Sequence, residues 1–76
     1  MKLVFILHGE DVAVDAAPDE ELAAACRRVL AAHGAGELSR WELRDAHGTY
    51  VDVRTRAADV AGRLPLYLSF PVGTGA

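Results

Sequence analysis

One cysteine and one lysine are all that this 76-residue chain contains of either type, and each scarcity excludes something. The lone thiol, Cys26, forms no internal disulfide and builds no multi-thiolate metal site. Lys and Arg number 8 against 11 Asp and Glu, for a net charge of −3, and no run of basic residues offers phosphates a stripe to bind. Nucleic acid is therefore not an expected partner. Long apolar runs are missing as well. Residues 3–7 suit a strand and are far too short to cross a bilayer, so no membrane association is expected. No small-residue cleavage site follows that run, so no signal peptide is read and a cytoplasmic location is expected. Repeats and linkers are absent.

What is present describes a small packed domain. Hydrophobic residues make up 51% and charged residues 25%, a balance that favours burial over disorder. The length lies near the lower limit at which one core suffices without staples.

Residues 3–7 are β-branched, aromatic and apolar on both faces, as in a central strand. Gly9-Glu10 stands where a two-residue hairpin turn is expected, with glycine supplying the positive φ. Residues 11–15 alternate and form the return strand. This register sets His8 opposite Asp11, Leu7 opposite Val12 and Phe5 opposite Val14. It places Leu3, Phe5, Leu7, Val12 and Val14 on one face.

Pro18-Asp19-Glu20-Glu21 is expected to begin a helix, with its carboxylates complementing the positive end of the helix dipole. Leu22, Ala25, Cys26, Val29 and Leu30 recur at helical spacing, and Gly34 is the expected C-terminal cap. Residues 41–45 alternate, with Trp41 and Leu43 inward, before a turn at Ala46-His47-Gly48. Residues 49–53 read as a short strand with Val51 and Val53 inward. A helical turn is expected around Ala57 to Val60. Residues 66–70 form the closing strand, with Leu66, Leu68 and Phe70 inward and Pro65 tolerated just before it.

Hairpin, helix, then two or three strands implies an α+β domain. A mixed sheet of four to five strands packs one face on a single helix, in the order of the β-grasp, or ubiquitin-like, fold. Its expected span is residues 1–70, followed by a tail at 71–76.

No catalytic constellation emerges, and no enzyme activity is expected. His8, His33 and His47 are spread over separate turns without a metal-ligand pairing and read as exposed loop histidines. Cys26 lies on the apolar helix face with no histidine beside it, so it reads as a small core residue. Asp11, Asp15, Asp19, Glu20 and Glu21 read as a solvated acidic face rather than a cation site. Gly73-Thr74-Gly75 has no helix behind it and is no phosphate loop. Trp41 reads as core or half-core. Neither a metal nor a cofactor is expected.

The feature that packing does not demand is the glycine-rich stretch Gly73-Thr74-Gly75-Ala76. One reading is a frayed end. The other is a backbone thin enough to thread into another protein's active site. From the residues alone the two stay open.

The chain as a whole resembles a family of small bacterial ubiquitin-like proteins found within bacterial ubiquitin-like conjugation operons. The residues that carry the likeness are Lys2-Leu3-Val4-Phe5 with His8-Gly9-Glu10, then Trp41-Glu42-Leu43-Arg44-Asp45 with Gly48, then Leu66-Tyr67-Leu68-Ser69-Phe70 before a Gly-x-Gly end. The resemblance implies a β-grasp protein modifier. It implies a ubiquitin-activating-like enzyme that uses ATP, a ubiquitin-conjugating-like enzyme, a processing or deconjugating peptidase, and target proteins as partners. The reactive carboxylate would belong to Gly75, with Val72, Gly73 and Thr74 as the threaded tail and Ala76 as a propeptide. A Gly-Gly end is replaced here by Gly-Thr-Gly-Ala. Pro71-Val72 stands where ubiquitin itself carries arginine, so an apolar recognition is expected.

With Lys2 as the single lysine, mono-modification or short chains are expected. Val4, Ile6 and Tyr67, with Arg44 beside them, are expected to form a partner docking patch on the sheet face away from the helix. Two other readings stand beside the modifier. One is a sulfur carrier bearing a thiocarboxylate on Gly75; the other is an interaction domain with an inert tail.

Overall fold

The computed structural model describes residues 1–69. Phe70, the tail and the boundary expected between them lie outside the described residues. Two strands open the chain, β1 (Lys2–Leu7) and β2 (Glu10–Asp15), followed by the helix α1 (Leu22–Ala32). The strands β3 (Glu42–Arg44) and β4 (Leu66–Ser69) complete the sheet. Single turns of 3-10 helix lie at Leu38–Arg40 and Ala57–Val60, the second where it was expected. The sheet order is β2-β1-β4-β3, with β1 and β4 parallel at the centre and the outer pairs antiparallel. A mixed four-stranded sheet with a parallel central pair, packed on one helix, is the α+β, β-grasp arrangement. Among the described residues no helix is long and apolar enough to cross a membrane.

The helix buries the face that its spacing announced: Leu22, Ala25, Cys26, Val29 and Leu30 are all buried. They meet Leu3, Phe5, Leu7, Leu43, Leu66 and Leu68 from the sheet, which closes one core. Gly34, at φ 61°, ends the helix in the left-handed conformation. The Ala35 N–H reaches the Leu30 carbonyl (2.9 Å) and the Gly34 N–H reaches that of Ala31 (3.3 Å), the two bonds of a Schellman motif.

Three expectations need correction. First, the hairpin turns at His8-Gly9, not at Gly9-Glu10. Both residues have positive φ, 53° and 80°, as a type I′ turn requires. Leu7 therefore faces Glu10, Phe5 faces Val12 and Leu3 faces Val14. The register moves by two residues, and an even shift keeps every side chain on its expected face. His8 accepts the left-handed backbone while its ring stands edge-on to Trp41, with centroids 5.4 Å apart.

Second, the helix starts at Leu22, after the acidic run, and no carboxylate lies in its first turn. Its first N–H groups, at Leu22 and Ala23, donate instead to the Thr55 and Val53 carbonyls (2.8 and 2.7 Å). A distant loop thus satisfies donors that a local cap usually serves.

Third, residues 49–53 form no strand. Tyr50 makes an isolated bridge with Arg44, and the Val51 N–H donates to the Leu43 carbonyl (2.9 Å). Beyond Val51 the chain leaves β3, because the Val53 and Thr55 carbonyls are committed to the helix start. Val51 is still buried and Val53 half-buried, so both point inward as expected.

Candidate functional site

The outer face of the sheet is built from strand alternation. Lys2, Val4 and Ile6 of β1 point away from the helix, as do Glu42 and Arg44 of β3 and Tyr67 of β4. Parallel pairing sets Ile6 beside Tyr67, and antiparallel pairing sets Arg44 on Tyr67's other side. Three of the four expected patch residues are thus lateral neighbours across three strands. Val4 lies one step back along β1, opposite Ala13. Tyr67 is 42% exposed, and Val4 and Ile6 are half-buried.

Ile6, Arg44 and Tyr67 line an open groove of about 810 Å³. Sequence reasoning missed its other walls. His8 and Trp41 close one end, and the turn from Asp45 to Gly48 forms the opposite bank. Tyr50, 66% exposed, lies beyond Arg44, with its ring centre 5.7 Å from the guanidinium carbon. Arg44 does not project freely. Its Nε donates to Glu42 (2.9 Å), its Nη2 pairs with the same carboxylate (2.8 Å), and its Nη1 donates to the Gly48 carbonyl (2.9 Å). Its charge is largely matched by Glu42, which leaves the groove mainly apolar and aromatic.

Asp45 holds the bank of this groove in place. It is a buried carboxylate, only 3% exposed. Oδ1 accepts the backbone N–H groups of His47 (2.9 Å) and Thr49 (3.0 Å), and Oδ2 accepts Arg63 Nε (2.8 Å). Burial pushes its pKa up, but the Arg63 hydrogen bond and the two N–H donors outweigh that and hold it below the usual carboxylate range. The Asp-x-x-Gly-Thr spacing is a turn signal visible in the sequence. Arg63, 18 residues away, carries no such signal.

The acidic residues of the hairpin and helix start remain at the surface, as expected. Within that run Glu20 is bound to Arg28 and accepts the Ala17 N–H (3.1 Å), and Arg28 above all lowers its pKa. His8, His33 and His47 are exposed at separate turns. Among the described residues no group of three or more His, Cys, Asp or Glu side chains comes together as a metal site. Burial pushes the Cys26 thiol up to about 12, which suits packing and not nucleophilic attack. Trp41 is 8% exposed and its Nε1 donates to the Ala35 carbonyl (3.1 Å), so it is a core residue that also edges the groove. The conjugation residues Val72, Gly73, Thr74, Gly75 and Ala76 lie outside the described residues.

Compared with known proteins, the chain matches no family model, and no curated protein aligns with it significantly.

Proposed function

We propose that this protein is a ubiquitin-like modifier, joined to targets through the carboxylate of Gly75. The observation that carries the reading is a β-grasp domain whose central strand β4 leads directly into Phe70-Pro71-Val72-Gly73-Thr74-Gly75. Such a domain supplies a rigid handle, and the glycines supply a backbone that fits a narrow catalytic channel. A peptidase removes whatever follows Gly75. An activating enzyme couples the freed carboxylate to the AMP part of ATP and releases pyrophosphate. A thiolate of that enzyme displaces AMP to form a thioester. Exchange to a conjugating enzyme's cysteine, then attack by a target nucleophile, releases the thiol. The bacterial ubiquitin-like family that the sequence resembles is the source of these partner classes, and a cytoplasmic setting belongs to the same reading.

Ile6 and Tyr67, at the floor of the outer-face groove, are the proposed contact for the activating and conjugating enzymes. Ile6→Asp is expected to weaken capture of both. Unchanged binding of that variant would remove the groove from the proposal.

The decisive experiment is mass spectrometry of an N-terminally tagged copy, expressed in its own host and purified under denaturing conditions. A peptide ending at Gly75 and linked to a foreign peptide is expected. A Gly75 thiocarboxylate would replace the reading with a sulfur carrier. An uncleaved Gly75–Ala76 bond in every molecule would overturn it in favour of an interaction domain.

A further inference from the structure

Among the described residues, β2 is an edge strand that pairs with β1 alone. Which of its backbone groups face outward follows from one end of the hairpin. The Ala16 N–H donates to the Met1 carbonyl (2.8 Å), and the Met1 amine donates back to the Ala16 carbonyl (2.6 Å). Met1 and Ala16 are therefore a hydrogen-bonded pair. Alternation makes Leu3 with Val14, Phe5 with Val12 and Leu7 with Glu10 hydrogen-bonded pairs as well. The amide groups of Asp11, Ala13 and Asp15 must then point away from β1. Arg28 agrees with this direction, since its Nη2 donates to the Asp15 carbonyl (2.7 Å). The N–H and C=O of Asp11 and Ala13 and the N–H of Asp15 remain on the edge.

Of the usual protections of an edge strand, three are missing here. It is six residues long, its pairing with β1 runs without a bulge, and it contains no proline. Charge is what guards it. Antiparallel pairing with a second copy, centred on Ala13, would place Asp11 opposite Asp15 twice. Like charges directly opposite are destabilising, and the neighbouring register, centred on Val12, brings together two outward-facing residue pairs instead of three.

The same two carboxylates that repel a second copy select a different occupant. We infer that β2 is a docking edge for an extended peptide strand whose basic residues, four apart, flank an apolar–small–apolar centre. The basic residues stand opposite Asp11 and Asp15, and the small residue stands opposite Ala13. The two apolar residues fall on the other face, beside Val12 and Val14, which are half-exposed there. The Asp11 end attracts more strongly, since Lys2 is the register partner of Asp15 and Arg28 lies beside it. The partner is a second polypeptide that binds by adding a strand, with backbone hydrogen bonds for affinity and charge for selection. The inference uses neither the tail nor the outer-face groove, so it stands or falls apart from the modifier reading.

The test is titration of the isotopically labelled protein with a capped peptide containing Arg-Val-Ala-Val-Arg, followed by amide chemical shifts. The control peptide contains Glu-Val-Ala-Val-Glu. Shifts centred on the amides of Asp11, Ala13 and Asp15 are expected, with the control about tenfold weaker from two reversed charge pairs. Ala13→Pro should abolish binding and keep the fold, because the N–H it removes lies on the open side of the strand. Asp11→Lys should narrow the preference between the two peptides several-fold. Equal binding of both peptides, binding that survives Ala13→Pro, or shifts centred on Ile6 and Tyr67 would each overturn the inference. Dimerisation of the free protein through β2 at neutral pH would overturn it too.

Discussion

The two halves of this domain are held together in different ways. Residues 1–33 form a six-residue hairpin pair and an 11-residue helix, whose ladders run without interruption. Residues 34–69 contain a three-residue strand, a four-residue strand and two short 3-10 turns. The first half satisfies its backbone by regular repetition, except at the helix start, where Leu22 and Ala23 donate to carbonyls of the second half. The second relies on single contacts: the Asp45 carboxylate on two N–H groups and Arg63, and the Arg44 guanidinium on Gly48. The groove lies where the irregular half meets the end of the regular one. Its floor comes from β1 and β4, and its bank from the Asp45 turn. A rigid sheet with one bank held by a few side-chain bonds is a surface that substitution can alter without dismantling the core.

The comparison can be broken first at the core that the halves share. Phe5 is fully buried, and Phe5→Ala is expected to cost about 3–5 kcal/mol. That is a large share of the stability of so small a domain. Chemical denaturation should show a single transition lost or moved far down, with both halves failing together.

A smaller effect is expected for Asp45→Ala, and it should separate the halves. Hydrogen exchange should accelerate at the amides of His47, Thr49 and Val51 while the hairpin amides keep their protection. Equal acceleration everywhere would show that the turn is no independent element. The pH dependence follows from the sign of the shift. Asp45 has a folded pKa below its unfolded value of about 3.9. Its contribution is therefore fully present above that value and is lost as pH falls through the folded pKa. Thermal melts of the wild type should weaken with acidification over that window more steeply than those of Asp45→Ala.

Gly34→Ala tests the joint between the halves. The position has φ 61°, and beyond the residue and its two chain neighbours no heavy atom lies within 4 Å of where the new Cβ would stand. The penalty is then the left-handed backbone alone, about 1 kcal/mol. A melting point lower by roughly 4–8 °C is the readout. The smallest effect concerns Cys26. With its thiol pushed up to about 12 by burial, a thiol-specific disulfide reagent at pH 8 should label it no faster than the domain unfolds. Rapid labelling of the native state would mean that the helix face opens on its own.

The regular half was also the more legible. The spacing of Leu22, Ala25, Cys26, Val29 and Leu30 predicts the buried helix face, and Gly34 predicts its end, because both signals are local. The hairpin was readable as a hairpin, with its faces right and its register two residues off. Alternation specifies the face strongly, whereas it does not choose between two glycine-containing turns that differ by an even shift of register. The helix start was misplaced for a related reason. A proline and three acids are a good local beginning, but the Val53 and Thr55 carbonyls supply acceptors one turn later. Of the groove, Ile6, Tyr67 and Arg44 were foreseeable from strand alternation together with the fold. His8, Trp41 and the Asp45 turn were not, since they arrive from separate segments.

By itself, then, the sequence determined the element order, the helix and strand faces that make the core, and the inert setting of Cys26. These follow from periodicities of about 3.6 and 2 residues, which act between near neighbours. Tertiary structure alone decided where the helix begins, why residues 49–53 stop short of a strand, and how Arg63 reaches Asp45. It also decided which amides of β2 face outward. Each of these depends on a backbone or side-chain group finding its hydrogen-bond partner far along the chain, and a buried or edge polar group takes the partner that the packed fold brings within reach.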